Sequence, residues 1–234
     1  MSRRVPDYYD RADVVTTYAA AREEGLRRRE RYAVDRYFDP HGRTLDLGCG
    51  TGRTSAVLAE EGFETVGLDS SRPMLAVAAA ADPEVRYLAA DAATLPFTDG
   101  SFSNVLFSYN GLDWLRPESA RAAAIRETFR VLEPGGRFAF SSQNVLRWLL
   151  PLPPTRYWIG KLARFWRRNA GTLLAGSPYL TTEDGATAHF TDPLSLVRIV
   201  RAVGFEVVEL VGNRTPGSAV VGNSTFVVAS KPPR

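Results

Sequence analysis

The feature that most constrains this chain is a glycine-rich turn, Gly48-Cys49-Gly50-Thr51-Gly52. It lies between a strand-like run, Arg43-Thr44-Leu45-Asp46-Leu47, and a helical pattern from Thr54 to Glu61. A strand that turns into a helix through glycines offers backbone amides and a helix N-terminus to a ligand, and the missing Cβ atoms permit close approach. The spacing narrows the ligand. A dinucleotide fingerprint G-x-G-x-x-G needs glycine at position 53, which is Arg53, and a P-loop needs a Gly-Lys-Ser/Thr ending that this turn lacks. Asp46, just ahead of the turn, would repel a pyrophosphate but attract a ligand ammonium or its water shell, so a zwitterionic ligand is expected.

From residue 43 onward short β-rich runs alternate with helical patterns, the sign of a doubly wound, Rossmann-like α/β sheet. Strands are expected over 43–47, 63–69, 85–89, 103–108, 137–141, 205–211 and 225–229. Helices are expected over 54–61, 72–81, 118–132 and 193–203; Pro117 suits the start of the third, Pro134-Gly135-Gly136 its stop, and Asp192-Pro193 caps the fourth. The 234 residues, 44% hydrophobic and 24% charged, read as a single globular domain. It divides into a helical lead-in (1–40), the ligand-binding half of the sheet (41–144), an inserted helical lid (145–188) and the rest of the same sheet (189–234).

Asp69 closes the second strand, where a carboxylate can accept both ribose hydroxyls, and Asp91 closes the third, where it can accept from an adenine amino group. A lone aspartate at a strand end is more often a helix cap. Asp46, Asp69 and Asp91 at three successive strand ends, beside the glycine turn, line one crevice.

Four segments together resemble the class I S-adenosylmethionine-dependent methyltransferases over about residues 43–145 and 190–230. They are Leu45 to Gly52, Gly67-Leu68-Asp69-Ser70-Ser71 with Met74, Ala90-Asp91-Ala92-Ala93-Thr94-Leu95-Pro96-Phe97, and Arg130-Val131-Leu132-Glu133-Pro134-Gly135-Gly136. The resemblance implies a seven-stranded sheet with its last strand antiparallel, S-adenosylmethionine as cofactor and methyl transfer as the activity. It places Gly48, Cys49, Gly50 and Gly52 beside the methionine portion, Asp69 and Ser70 at the ribose, and Met74 against the adenine. Asp91 would take the adenine amino group, the Ala92 amide a ring nitrogen, and Ser108 and Tyr109 would lie near the methionine end. A lead-in tyrosine would close over the cofactor; Tyr9 and Tyr18 both suit, Tyr18 being the candidate carried forward, and plain core packing is an equal reading.

Such a cofactor carries an already activated methyl group, so the protein's main tasks are to align a nucleophile and exclude water, and no catalytic residue is obligatory. If the acceptor must first lose a proton, His189, Asp113 and Tyr109 are the candidate bases, whereas His41 reads as structural. Cys49, the single cysteine, forbids an internal disulfide and a Cys-rich metal site, and no metal is expected. It is also spent in the turn, which argues against cytosine C5 methylation, and Ser108-Tyr109-Asn110-Gly111 lacks the Asn/Asp-Pro-Pro-aromatic motif of base amino methylation. DNA is therefore not expected as substrate, RNA is disfavoured, and the expected partner is a small-molecule acceptor, with a hydrophobic or lipid-like one in view. A cofactor-sensing or partner-binding module without turnover is the alternative. No signal peptide or membrane-spanning run is visible, which makes the cytoplasm the expected compartment.

Residues 143–182 contain six basic side chains and no acid, so the net charge of +3 rests on one patch. At helical spacing, Trp158, Ile159, Leu162, Phe165 and Trp166 share one sector and Arg156, Lys161, Arg164, Arg167 and Arg168 the opposite one, after the proline-broken run Leu149 to Pro154. Three readings stand: a lid that walls the acceptor pocket, a peripheral membrane contact through 147–168, and a surface for RNA or another protein.

Overall fold

The computed structural model describes residues 6–149, 156–183, 185–212 and 218–233. Nine strands form. Seven make one sheet: β1 (Thr44–Leu47), β2 (Thr65–Asp69), β3 (Arg86–Ala89), β4 (Phe102–Phe107), β5 (Leu132–Gln143), β8 (Glu206–Val211) and β9 (Ser224–Ser230). Their order is β3-β2-β1-β4-β5-β9-β8, all neighbours parallel except β9, which runs antiparallel to both β5 and β8. This is the doubly wound sheet with an antiparallel last strand, and the chain reverses between β1 and β4, where such sheets open a crevice at their strand C-termini. The two remaining strands, β6 (Tyr179–Thr181) and β7 (Thr187–His189), form an antiparallel hairpin at the end of the 145–188 segment, running one residue past it, that the sequence reading did not anticipate.

Side chains alternate across the sheet and feed two cores. In β4 and β5, Val105, Phe107, Phe138 and Phe140 face one layer, while Leu106 and Ala139 face the other. The first layer is closed by α6 (Glu118–Val131) and α9 (Pro193–Val203) through Ile125, Leu196 and Val200. The second is closed by α3 (Arg28–Tyr37) and α4 (Arg53–Glu60) through Ala33, Val34 and Leu58. Each buried Phe or Leu contributes about 1.5–3 kcal/mol through lost apolar exposure, and Phe138 stacks on Phe140 at 4.4 Å. The lead-in continues N-terminally through a 3-10 turn (Ala21–Glu24), α2 (Ala12–Ala20) and α1 (Pro6–Tyr9).

Two boundaries differ from expectation. The 118–132 helix ends at Val131, and Pro134-Gly135-Gly136 falls within β5, which runs from Leu132 with a register shift against β4 between Phe102 and Asn104. The insertion carries α7 (Leu146–Leu149) and α8 (Arg156–Leu174) before the hairpin, while Leu150 to Pro154 lies outside the described residues. Among the described residues no helix is long and apolar enough to cross a membrane, and no group of side chains could hold a metal ion.

Candidate active site

At the C-terminal edge of β1, β2, β3 and β4 lies a cavity of about 620 Å³. Of the residues singled out in the sequence, Gly48, Cys49, Gly50, Asp69, Ser70, Met74, Asp91, Ala92, Ser108, Tyr109 and Tyr18 line it; Asp46 and Gly52 do not. The turn is folded by Asp69, whose carboxylate accepts from the amides of Gly50 (2.8 Å) and Ser71 (2.8 Å). Burial nevertheless pushes its pKa above the usual carboxylate range, the amides only partly offsetting this. At Gly50 φ is +55° and a Cβ would meet nothing within 4 Å, so the cavity approaches bare backbone there. Asp91 accepts from the Ala93 amide at 2.8 Å, the cap reading of a strand-end aspartate, and it also borders the cavity.

Asp46 is corrected to a structural role. It is buried behind the turn and accepts from the hydroxyls of Thr54 (2.6 Å) and Ser55 (2.6 Å), fastening the first turn of α4 to β1. Burial pushes its pKa up to about 6. Gly52 is likewise a packing residue: at φ +85° it caps α4, and a Cβ there would sit 2.5 Å from the Tyr87 hydroxyl and 2.7 Å from an Arg22 guanidinium nitrogen.

The opposite wall comes from the N-terminal lead-in. Tyr9, Thr17, Tyr18, Ala21 and Arg27 line the cavity, and no described residue of 145–188 does, so among the described residues the lead-in and not the expected lid walls it. The lead-in is held at several points. Thr51 Oγ1 donates to the Tyr18 carbonyl (2.9 Å), Arg22 reaches both the Thr51 carbonyl and the Asp82 carboxylate, and Ser71 Oγ donates to Asp10 (2.7 Å). Below it Glu30, on α3, pairs with Arg53 at the start of α4 (2.8 Å) and accepts from the Ser108 hydroxyl. Burial pushes Glu30 up, but Arg53 and Ser108 outweigh it and hold its carboxyl below the usual range. The post-β4 turn then lifts Tyr109 into the cavity, with Tyr109 (φ 53°) and Asn110 (φ 60°) both left-handed. Such conformations cost non-glycine residues about 1–2 kcal/mol each, and Ser141 Oγ receives the Asn110 amide (2.8 Å) to hold this one.

Comparison with known proteins decides what this crevice belongs to. Residues 44–136 match the model of a methyltransferase domain family. A demethylmenaquinone methyltransferase of Thermus thermophilus is 35% identical over 177 residues, covering 70% of this chain and 74% of that protein. One of the same name from Beutenbergia cavernae is 39% identical over 109 residues, which span 47% of this chain and less than half, 44%, of that relative. The chain belongs to the class I S-adenosylmethionine-dependent methyltransferases. A solved S-adenosylmethionine-dependent methyltransferase from Methanosarcina mazei has the same fold, with a TM-score of 0.68 at 21% identity over 86% of this chain and 97% of that one.

Family membership carries the cofactor, S-adenosylmethionine, and the cavity of this methyltransferase fits it. The bare backbone at Gly50 leaves room for the methionine portion, the half-buried Asp69 has lone pairs beyond its two amides for ribose hydroxyls, and Met74 and the Ala92 amide border the space between β2 and β3. Sequence reasoning missed Thr51, Arg53, Arg27 and Arg116 as lining residues. Thr51 sits in the glycine turn and Arg53 directly follows it, so both were visible there; Arg27 and Arg116 come from connecting segments whose approach only packing decides.

Two candidate bases are corrected. Asp113 is fully buried, 3.7 Å from Arg121, and accepts from Ser142 Oγ (2.7 Å) and the Gln143 amide (2.5 Å), with burial pushing it up to about 7. His189 is buried on β7, its Nδ1 2.9 Å from Thr191 Oγ1, and burial holds it down to about 4. Neither lines the cavity; both belong to the packing between α6, β5 and the hairpin. Tyr109 does line it.

Proposed function

We propose that this methyltransferase acts on a flat, ring-bearing small molecule that arrives in its nucleophilic form, so that no side chain of the protein removes a proton. The make-up of the cavity wall built by the lead-in and the segment after β4 carries this reading. The rings of Tyr9, Tyr18, Tyr109 and Trp114 form a continuous edge-to-face series there, with centroids 5.7 Å (Tyr9–Tyr18), 5.8 Å (Tyr18–Tyr109) and 5.6 Å (Tyr9–Trp114) apart. Aromatic walls of this kind favour a planar guest. Among the described lining residues there is no histidine, the only acids are Asp69 and Asp91, and burial raises the Tyr9 hydroxyl far above its ordinary pKa. Arg27 and Arg116 supply positive charge instead, Arg27 lying 4.2 Å over the Tyr109 ring. Guanidiniums beside an acidic ring hydroxyl favour its ionised, electron-rich form.

The bound cofactor supplies a methyl group already activated by its sulfonium. The protein's own share is alignment and water exclusion, with Tyr9, Tyr18, Tyr109 and Trp114 forming one continuous aromatic wall. Relatives named demethylmenaquinone methyltransferases support an acceptor with a quinone-type ring. An acceptor with an apolar tail would be met at a membrane surface.

The test incubates the protein and S-adenosylmethionine with reduced naphthoquinones, simple phenols and aliphatic amines, reading S-adenosylhomocysteine and methylated product by mass spectrometry. Turnover with ring acceptors, with kcat/KM following the acceptor's own ionisation, is expected. Turnover with aliphatic amines alone overturns the ring reading. Cofactor binding without turnover on any acceptor would instead favour a cofactor-sensing module.

A further inference from the structure

We infer that the outer face of α8 is a docking surface for a lipid bilayer bearing anionic headgroups. The inner face of the helix is spoken for: Phe165 is buried in a cluster with Leu180, Ala188 and Phe190, and Trp148 stacks on Phe165 at 4.4 Å. The outer face departs from the simple amphipathic projection. Ile159 (53% exposed), expected on the packed side, points outward, and Trp166 (37% exposed), its Nε1 donating to the Trp148 carbonyl at 3.1 Å, bares one edge beside it, with Ala163 between them at i, i+4 and i+7. Next to that strip Arg156, Arg164 and Arg167 are exposed and form no ion pair with any described residue.

On the strip's far side a groove of about 400 Å³ runs between α8 and the hairpin, with Lys161, Arg164 and Arg168 on its wall. Among the described residues only Glu183 answers these charges, through Lys161 at 3.0 Å. The outer face thus combines an aliphatic and tryptophan edge, a central row of arginines and a cationic groove of headgroup size, with no acid anywhere in residues 143–182.

Charge and apolarity choose the occupant together. Arginines alone would suit any polyanion, but exposed Ile159 and Leu174 (88% exposed) gain nothing from phosphate and do gain from an acyl boundary. The docked helix would also face the site, because its inner cluster packs against Trp114, which lines the cavity. This inference does not depend on which ring is methylated.

The experiment is flotation of the full chain with phosphatidylcholine vesicles, with and without phosphatidylglycerol, at low and high salt. Two variants accompany it, Ile159→Ser and the double variant Arg164→Glu/Arg167→Glu, both at exposed positions and both checked by calorimetric cofactor binding to be folded. Binding to the anionic vesicles alone, lost at high salt, and weaker by at least about tenfold in the double variant, is expected. Absence of binding at low salt, or equal binding by the double variant, overturns the proposal. So does arginine-dependent capture of single-stranded RNA in place of vesicles, or a dimer in light scattering that Ile159→Ser dissolves.

Discussion

Asp69 does two jobs with one carboxylate, folding the glycine turn through two amides and facing the cavity. Asp69→Ala should weaken S-adenosylmethionine binding by about 1.5–3 kcal/mol in a calorimetric titration; unchanged affinity would remove Asp69 from the ribose site. Its pKa is already raised by burial, and hydroxyl donors favour its ionised form, so cofactor affinity should fall as pH falls through that raised value. The glycines separate by role. Gly50→Ala puts a methyl group into open cavity, so beyond the backbone strain of φ +55° it should act on cofactor affinity, whereas Gly52→Ala adds to φ +85° a clash with Tyr87 and Arg22 and should cost more stability, by more than about 1 kcal/mol. Urea unfolding and cofactor titration of both variants check the contrast, which reversed effects would refute.

Among the elements, α3 does more than cover the sheet. Its Glu30 ties the lead-in to the start of α4 and to the end of β4 through Arg53 and Ser108, all at low exposure. Removing one partner of a buried pair strands the other charge, so Glu30→Ala should destabilise by about 3–5 kcal/mol in urea unfolding. Glu30→Gln, which keeps the shape, should lose less, and near-wild-type stability of the alanine variant would show the pair to be idle. The sequence marked 1–40 as a helical lead-in with Tyr9 or Tyr18 over the cofactor, but not Thr17, Ala21 and Arg27 as the rest of that wall. It marked 145–188 as the lid, because tryptophans beside arginines look like a cover. The face a helix presents depends on what it packs against, and α8 packs on its own hairpin.

At the scale of the molecule, buried titrating groups set the acid response. The unfolded imidazole of His189 takes a proton near pH 6.5 and the folded one only near 4. Its stabilising contribution is therefore complete above pH 6.5 and lost as pH falls to 4. That loss is worth about 3 kcal/mol. Asp46 and Asp113, raised to about 6 and about 7, act the other way: the folded state takes up their protons first, which offsets part of the loss. The stability advantage of wild type over His189→Gln should shrink by that amount between pH 6.5 and 4, as urea unfolding at a series of pH values would show. A constant difference would mean that His189 is protonated equally in both states.

The sequence by itself determined the sheet and which of its strand ends border the cavity. Strand, glycine turn and strand-end acids are local patterns, fixed by backbone geometry within a few residues, which is why Gly48, Gly50, Asp69, Met74 and Asp91 fell where their spacing put them. Tertiary structure alone decided that Asp46 looks inward to Thr54 and Ser55 and that Asp113 and His189 are packing groups. It also decided that Arg27 and Arg116 join Tyr9, Tyr18 and Trp114 at one cavity. These residues are brought together by contacts distant in the chain, and burial, which sets both their direction and their charge, is a property of the neighbours they acquire on folding.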